Sequence, residues 1–79
     1  MTKRRYTIIL YPEEEGGYSV VVPALPGCVT QGETVAEAIE NAQEAIALYL
    51  ETLEAQSEPI PEEREHPQAI VIEVGDAAA

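Results

Sequence analysis

Three changes of chain direction are written into nineteen consecutive residues, Gly16 to Thr34. Gly16-Gly17 opens the run, and paired glycines supply positive φ at no steric cost, so they read as a turn. Tyr18-Ser19-Val20-Val21-Val22 follows as a β-branched strand, and Pro23 closes it. Ala24-Leu25-Pro26-Gly27 bends the chain again. Cys28-Val29-Thr30-Gln31 is a short strand ended by Gly32, and Thr34 starts a helix. A chain that reverses this often in so few residues folds as short antiparallel strands with a helix laid across them.

The segments on either side complete the pattern. Arg5 to Tyr11 reads as a strand, stopped by Pro12, and Glu13-Glu14-Glu15-Gly16-Gly17 turns it into the 18–23 strand as a hairpin. Thr34-Val35-Ala36-Glu37 has the form of a capping box: the Thr34 hydroxyl accepts the amide of Glu37, and the Glu37 carboxylate reaches back to the amide of Thr34. A helix is predicted over about 35–54, free of Gly and Pro. Val35, Ile39, Ala42, Ile46, Tyr49 and Leu53 recur at spacings of three and four as its buried stripe. Residues 56–68 hold three prolines and read as a connection, residues 69–74 as a last strand, and residues 75–79 as a frayed tail. The expected fold is therefore α+β, one domain over 1–79 with two layers in the order β-β-β-α-β: strands at about 5–11, 18–23, 28–31 and 69–74, and one helix packed on a mainly antiparallel sheet.

The strands are apolar on both faces, with Tyr6, Ile8 and Leu10 on one side of the first and Ile9 and Tyr11 on the other. One helix covers one face only, whereas a half-buried strand ordinarily alternates with polar residues. The second face or an edge strand is expected to meet another copy or a partner. Size points the same way. A chain of 79 residues with a single cysteine has no internal disulfide to supplement a small core, so a homodimer or higher homo-oligomer is the expected supplement. The lone Cys28, and the lack of a signal-peptide or membrane-spanning apolar run, point to a reducing, cytoplasmic setting.

Charge is one-sided. The net charge is −11, and residues 6–63 contain twelve glutamates and no Lys or Arg. Such a surface repels nucleic acid and accelerates capture of a basic protein. Glu37, Glu40, Glu44, Glu51 and Glu54 fall on the helix face opposite the apolar stripe, with no cation four residues away to offset their repulsion. No nucleotide-binding loop is present, because no Lys-Ser/Thr follows Gly16-Gly17. His66 stands alone in a proline-flanked loop, and Cys28 has no neighbouring cation to activate it. The predicted strands carry one carboxylate, Glu73, too few for a two-metal nuclease centre. No catalytic residue, metal or cofactor is expected, and no membrane or direct nucleic-acid partner.

The ordered set of motifs resembles the HicB-like antitoxin family. It comprises a Tyr-x-Ile-x-Leu first strand from Tyr6, then Glu15-Gly16-Gly17-Tyr18-x-Val20, then Pro23-Ala24-Leu25-Pro26-Gly27-Cys28-x-Thr30-x-Gly32-x-Thr34. Glu37-Ala38 and Asn41-Ala42-x-Glu44-Ala45-Ile46 follow, so the likeness extends from Tyr6 to about Leu53. The resemblance implies a partial ribonuclease H-like fold without working catalytic residues. It also implies a partner, a small basic HicA-type toxin that cleaves mRNA with a histidine and whose RNA surface the antitoxin covers. Many family members carry a C-terminal DNA-binding domain. This sequence ends five residues after its last predicted strand, so operator binding is not expected.

Two kinds of residue are thereby singled out. Glu13, Glu14, Glu15, Glu37, Glu40, Glu44, Glu51 and Glu54 are the candidates for contact with a basic toxin, on charge placement. Gly16, Gly17, Tyr18, Pro23, Pro26, Gly27, Gly32 and Thr34 are the structural motif. Two other readings use the same residues. One is an oligomeric structural or small-ligand-binding domain, favoured by a cleft between Tyr11, Tyr18 and Tyr49. The other is a metal-dependent nuclease remnant.

Overall fold

The computed structural model describes residues 3–76. Three strands, β1 (Ile9–Pro12), β2 (Tyr18–Val21) and β3 (Val29–Gly32), precede one helix, α1 (Val35–Ala55). The sheet order is β1-β2-β3 with antiparallel neighbours, which makes the fold α+β as expected. Residues 77–79 of the predicted tail lie outside the described residues.

Register follows from the turns. The Glu13 amide donates to the Gly17 carbonyl and the Gly16 amide to the Glu13 carbonyl, closing the hairpin so that Leu10 faces Val20 and Pro12 faces Tyr18. After β2 the chain makes two successive turns, Leu25 amide to Val22 carbonyl and Cys28 amide to Leu25 carbonyl, both 2.9 Å. Gly27, at φ +81°, occupies the left-handed conformation this second turn requires. Leu25 folds back beneath the sheet and is fully buried. In the next pairing Val20 faces Thr30 and Tyr18 faces Gly32.

Thr34 caps α1 by accepting the amide of Glu37 at 3.1 Å. The reciprocal half of the expected capping box shifts by one residue: the Glu37 carboxylate accepts the amide of Glu33, not that of Thr34. That amide precedes the helix and is within easier reach of a side chain pointing back along the axis. The C-terminus ends in a Schellman-type closure, with the Glu58 amide donating to the Leu53 carbonyl and the Ser57 amide to the Glu54 carbonyl. Ser57 takes the left-handed conformation, φ +56°, that glycine usually supplies there. Pro59 then prevents any continuation.

The core consists of two adjoining clusters. Val20, Ala38 and Ala42 pack with Ile8, Leu10 and Tyr18. Val22, Leu25 and Cys28 pack with Tyr6, Ala45, Ile46 and Tyr49. The first turns of α1 therefore sit over one end of the sheet, and its last turns over the Tyr6–Val22 end. Small residues set the separation. A Cβ on Gly32 would lie 2.5 Å from the Ala38 amide nitrogen, so the helix rests directly on the end of β3.

Two expectations need correction. The buried helical face is carried by Ala38, Ala42, Ala45, Ile46 and Tyr49, while Val35 and Ile39 remain 49% and 43% exposed. The expected strand over 69–74 does not form: residues 64–76 are exposed and unpaired in any sheet, and Val71 is fully exposed. The reason lies just upstream. Glu63 accepts from both the amide and the hydroxyl of Thr7, and the Tyr6 hydroxyl donates to the Pro61 carbonyl. These contacts pin residues 61–63 beside the entry to β1, and the chain beyond leaves the body as an arm. The radius of gyration, 15.8 Å, exceeds the value of about 12 Å for a compact chain of this length.

Candidate functional site

The outer face of α1 is the largest feature without a structural task. At 100° per residue, Glu40, Glu44 and Glu51 fall within a narrow sector opposite Ala38 and Ala42. All three are exposed, and among the described residues no cation reaches salt-bridge distance of any of them. Glu54 lies further round, over a groove it shares with Arg4, Arg5 and Leu50. Glu37 is exposed but already accepts the Glu33 amide at the positive end of the helix dipole.

The hairpin turn adds to this face at one corner. Glu13 joins Glu33 and Glu37 around a cavity of about 240 Å³, whose floor includes Tyr18, Gln31 and Asn41. Asn41 holds the corner together by donating its amide to the Gln31 carbonyl at 2.8 Å. Glu14 and Glu15 are exposed on the same turn and do not line the cavity. Of the eight glutamates singled out from the sequence, the structure thus joins Glu13 to Glu37 and aligns Glu40, Glu44 and Glu51. It adds Glu33, which sequence reasoning missed; its position four residues before Glu37 was the available signal.

Beside Glu44 and Glu51, the face turns apolar. Leu48 is 65% exposed between these two carboxylates, and Val29 of β3 is 64% exposed across a shallow groove from it. The result is an apolar centre with an acidic border on an exposed helix face.

The motif residues hold this surface in place. Gly16 and Gly17 turn the hairpin, Pro23, Pro26 and Gly27 shape the bend, Gly32 admits the helix and Thr34 starts it. The Tyr49 hydroxyl donates to the Pro26 carbonyl at 2.8 Å, tying the end of α1 to the bend. Tyr18 packs with the helix-side cluster, whereas Tyr11, in the alternate position along β1, is half exposed on the other side. Tyr11, Tyr18 and Tyr49 therefore form no common cleft.

The cations gather at the other end of the sheet. Lys3, Arg4, Arg5 and Arg64 surround a cavity of about 260 Å³ with Glu62, Glu63 and His66. Arg4 and Arg64 both pair with Glu62, at 4.0 and 3.4 Å. Among the described residues Glu63 is the one strongly perturbed acid: its hydrogen bonds to His66 Nδ1 and to Thr7 hold its pKa at about 2. Its side chain is only 6% exposed, so it serves as an internal clamp. Burial pushes the Cys28 thiol upward, consistent with a packed apolar residue. Among the described residues no three His, Cys, Asp or Glu side chains are grouped so that they could hold a metal ion. No described helix is long and apolar enough to cross a membrane.

An acidic helix on a hairpin sheet, with glycines and prolines at these turns, is matched by a known family. The family described as "HicB_like antitoxin of bacterial toxin-antitoxin system" covers residues 6–73. The chain belongs to the HicB-like antitoxin family. A UPF0150 protein of Thermoplasma acidophilum is 53% identical over 57 residues, 72% of this chain and 83% of that protein. A UPF0150 protein of Synechocystis is 50% identical over 58 residues, 73% of each chain. Antitoxin HicB of Escherichia coli is 44% identical over 57 residues, 72% of this chain but 41% of that longer protein. The HicB-like match takes in the hairpin, the bend, the helix and most of the exposed arm, so the arm belongs to the family pattern.

Proposed function

We propose that this chain is a non-enzymatic, cytoplasmic antitoxin that neutralises a small basic HicA-type mRNA interferase, and that it self-associates. Family membership supports the toxin–antitoxin setting. The observation that carries the finer reading is the set of exposed, unpaired carboxylates Glu40, Glu44 and Glu51 around Leu48. Like charges three or four residues apart on a helix cost about 0.2–0.5 kcal/mol per pair, and a cationic partner turns that repulsion into attraction. Glutamates of this kind occupy the electrostatic place of RNA phosphates on a basic surface. Long-range steering makes capture fast and salt-sensitive. The contact surface in this reading is Glu13, Glu14, Glu15, Glu37, Glu40, Glu44, Glu51 and Glu54, with Leu48 as its apolar centre.

The test is inhibition of RNA cleavage by a purified HicA-type toxin, with binding followed by calorimetry. Glu40→Lys, Glu44→Lys and Glu51→Lys together should weaken capture at least a hundredfold and leave the fold intact, because all three are exposed and none makes a side-chain hydrogen bond or ion pair among the described residues. Unchanged inhibition by the triple variant would exclude the helix face as the interface. RNA cleavage by the purified chain itself would overturn the non-enzymatic reading.

A further inference from the structure

We propose that Ala69–Val74 is a strand donor that adds to the free edge of β1 in a second copy of this chain, while the second copy returns its own arm. This deepens the self-association in the proposed function and does not depend on the toxin.

The arm has the composition of a buried strand. Ile70, Val71, Ile72 and Val74 are 73–101% exposed, and the segment holds a single charge, Glu73. Alternation along an extended chain puts Ile70, Ile72 and Val74 on one side. Six such residues span about 20 Å, and an unpaired apolar strand of that length is a template for pairing with another chain.

The body of the fold has a matching vacancy. Nothing pairs with β1 beyond β2 among the described residues. Above that edge, the helix carries an apolar row that the three-stranded sheet covers only in part. Ile46 and Leu50 overhang a groove of about 690 Å³ that runs between the helix and Tyr6. Val35 and Ile39 continue the row toward the other end, exposed though apolar. A strand beside β1 would lie beneath this row. Its absence explains why the periodicity of the sequence marks Val35 and Ile39 as buried while the single chain leaves them in solvent.

In the single chain the arm does not return to its own β1: beyond the Thr7–Glu63 contact, residues 64–76 stay exposed and leave that edge open. A second copy offers the same open edge. Exchange of identical arms is two-fold symmetric and closes, so it ends at a dimer. Strand addition supplies backbone hydrogen bonds to the free edge, and the alternate side chains fill the groove.

The full chain should sediment at tens of micromolar with twice its 8.6 kDa mass. Ile72→Lys should return it to 8.6 kDa with its helical circular dichroism unchanged, since the arm lies outside the folded body. A monomeric wild type, or a dimer that survives Ile72→Lys, overturns the proposal. Cysteine pairing locates the arm. When chains carrying Ile39→Cys are mixed with chains carrying Ile72→Cys, oxidation should link the two; Cys28 is buried and does not interfere. If a chain with both substitutions forms only an internally linked monomer, the arm closes on its own body and the exchange is excluded. Toxin capture reads a different surface and is scored separately, so failure of one test leaves the other standing.

Discussion

Replacing Gly32 by alanine tests the packing on which the acidic face depends. The added Cβ would lie 2.5 Å from the amide nitrogen and 2.6 Å from the Cα of Ala38, and 2.9 Å from the carbonyl carbon of Glu37. All three are backbone atoms in the first turns of α1, so no rotamer change relieves the clash and the helix must lift from β3. Overpacking of this kind costs about 1–3 kcal/mol. With three backbone atoms in conflict the upper end applies, about 3 kcal/mol; alanine regains roughly 0.4–1 kcal/mol by restricting the unfolded chain, which leaves a net loss of about 2 kcal/mol. A 79-residue domain has on the order of 4–12 kcal/mol in total. At roughly 4–8 °C per kcal/mol, the melting temperature should fall by roughly 8–16 °C. Gly27→Ala is the control: its added Cβ meets nothing within 4 Å, and only the left-handed φ of +81° is penalised, by about 1 kcal/mol. Thermal and urea denaturation of both variants decide the matter. If Gly32→Ala loses less stability than Gly27→Ala, the close seating of the helix on β3 is wrong.

Two further outcomes follow from the clamp and the cap. Glu63 has a folded pKa near 2 against an ordinary 4.5, so its ionised form stabilises the fold above about pH 4.5, and that stability is lost as the pH falls toward 2. Glu63→Gln should flatten the acid limb of a melting-temperature-against-pH curve; an unchanged limb would remove Glu63 from the clamp. Thr34→Ala deletes the side-chain acceptor for the Glu37 amide and should cost about 1 kcal/mol, read as a melting shift of roughly 4–8 °C. A larger fall than that of Gly32→Ala would mean the cap outweighs the helix–strand contact.

The elements with local causes were legible in the sequence. Paired glycines, the Pro23–Gly27 bend and the Thr34 cap act within a few residues, and β2, β3 and α1 lie between these signals, while β1 begins only at Ile9 and runs through Pro12 instead of covering 5–11. The exposed acids on the outer helix face were legible too, because 100° per residue fixes their sector once the helix exists. Glu63 was not legible: its role depends on residue Thr7, fifty-six positions away, meeting it across the fold. Neither was the corner of Glu13, Glu33 and Glu37, which forms only when the hairpin turn and the helix start are brought to the same end of the sheet.

Residues 69–74 divide the two kinds of information most clearly. Their alternating β-branched side chains establish that the segment is strand material. Sequence also settled that a −11 chain with this helix presents acid to solvent, and that its family is HicB-like. Tertiary structure decided that the arm stands clear of its own sheet in the single chain. Hydrophobic periodicity is set along the chain and asks only that a residue be covered, whereas the covering group is set by where the rest of the chain is tethered. Beyond the Thr7–Glu63 contact the arm leaves its own sheet, and the same apolar residues that mark a buried strand in the sequence stand exposed in the single chain.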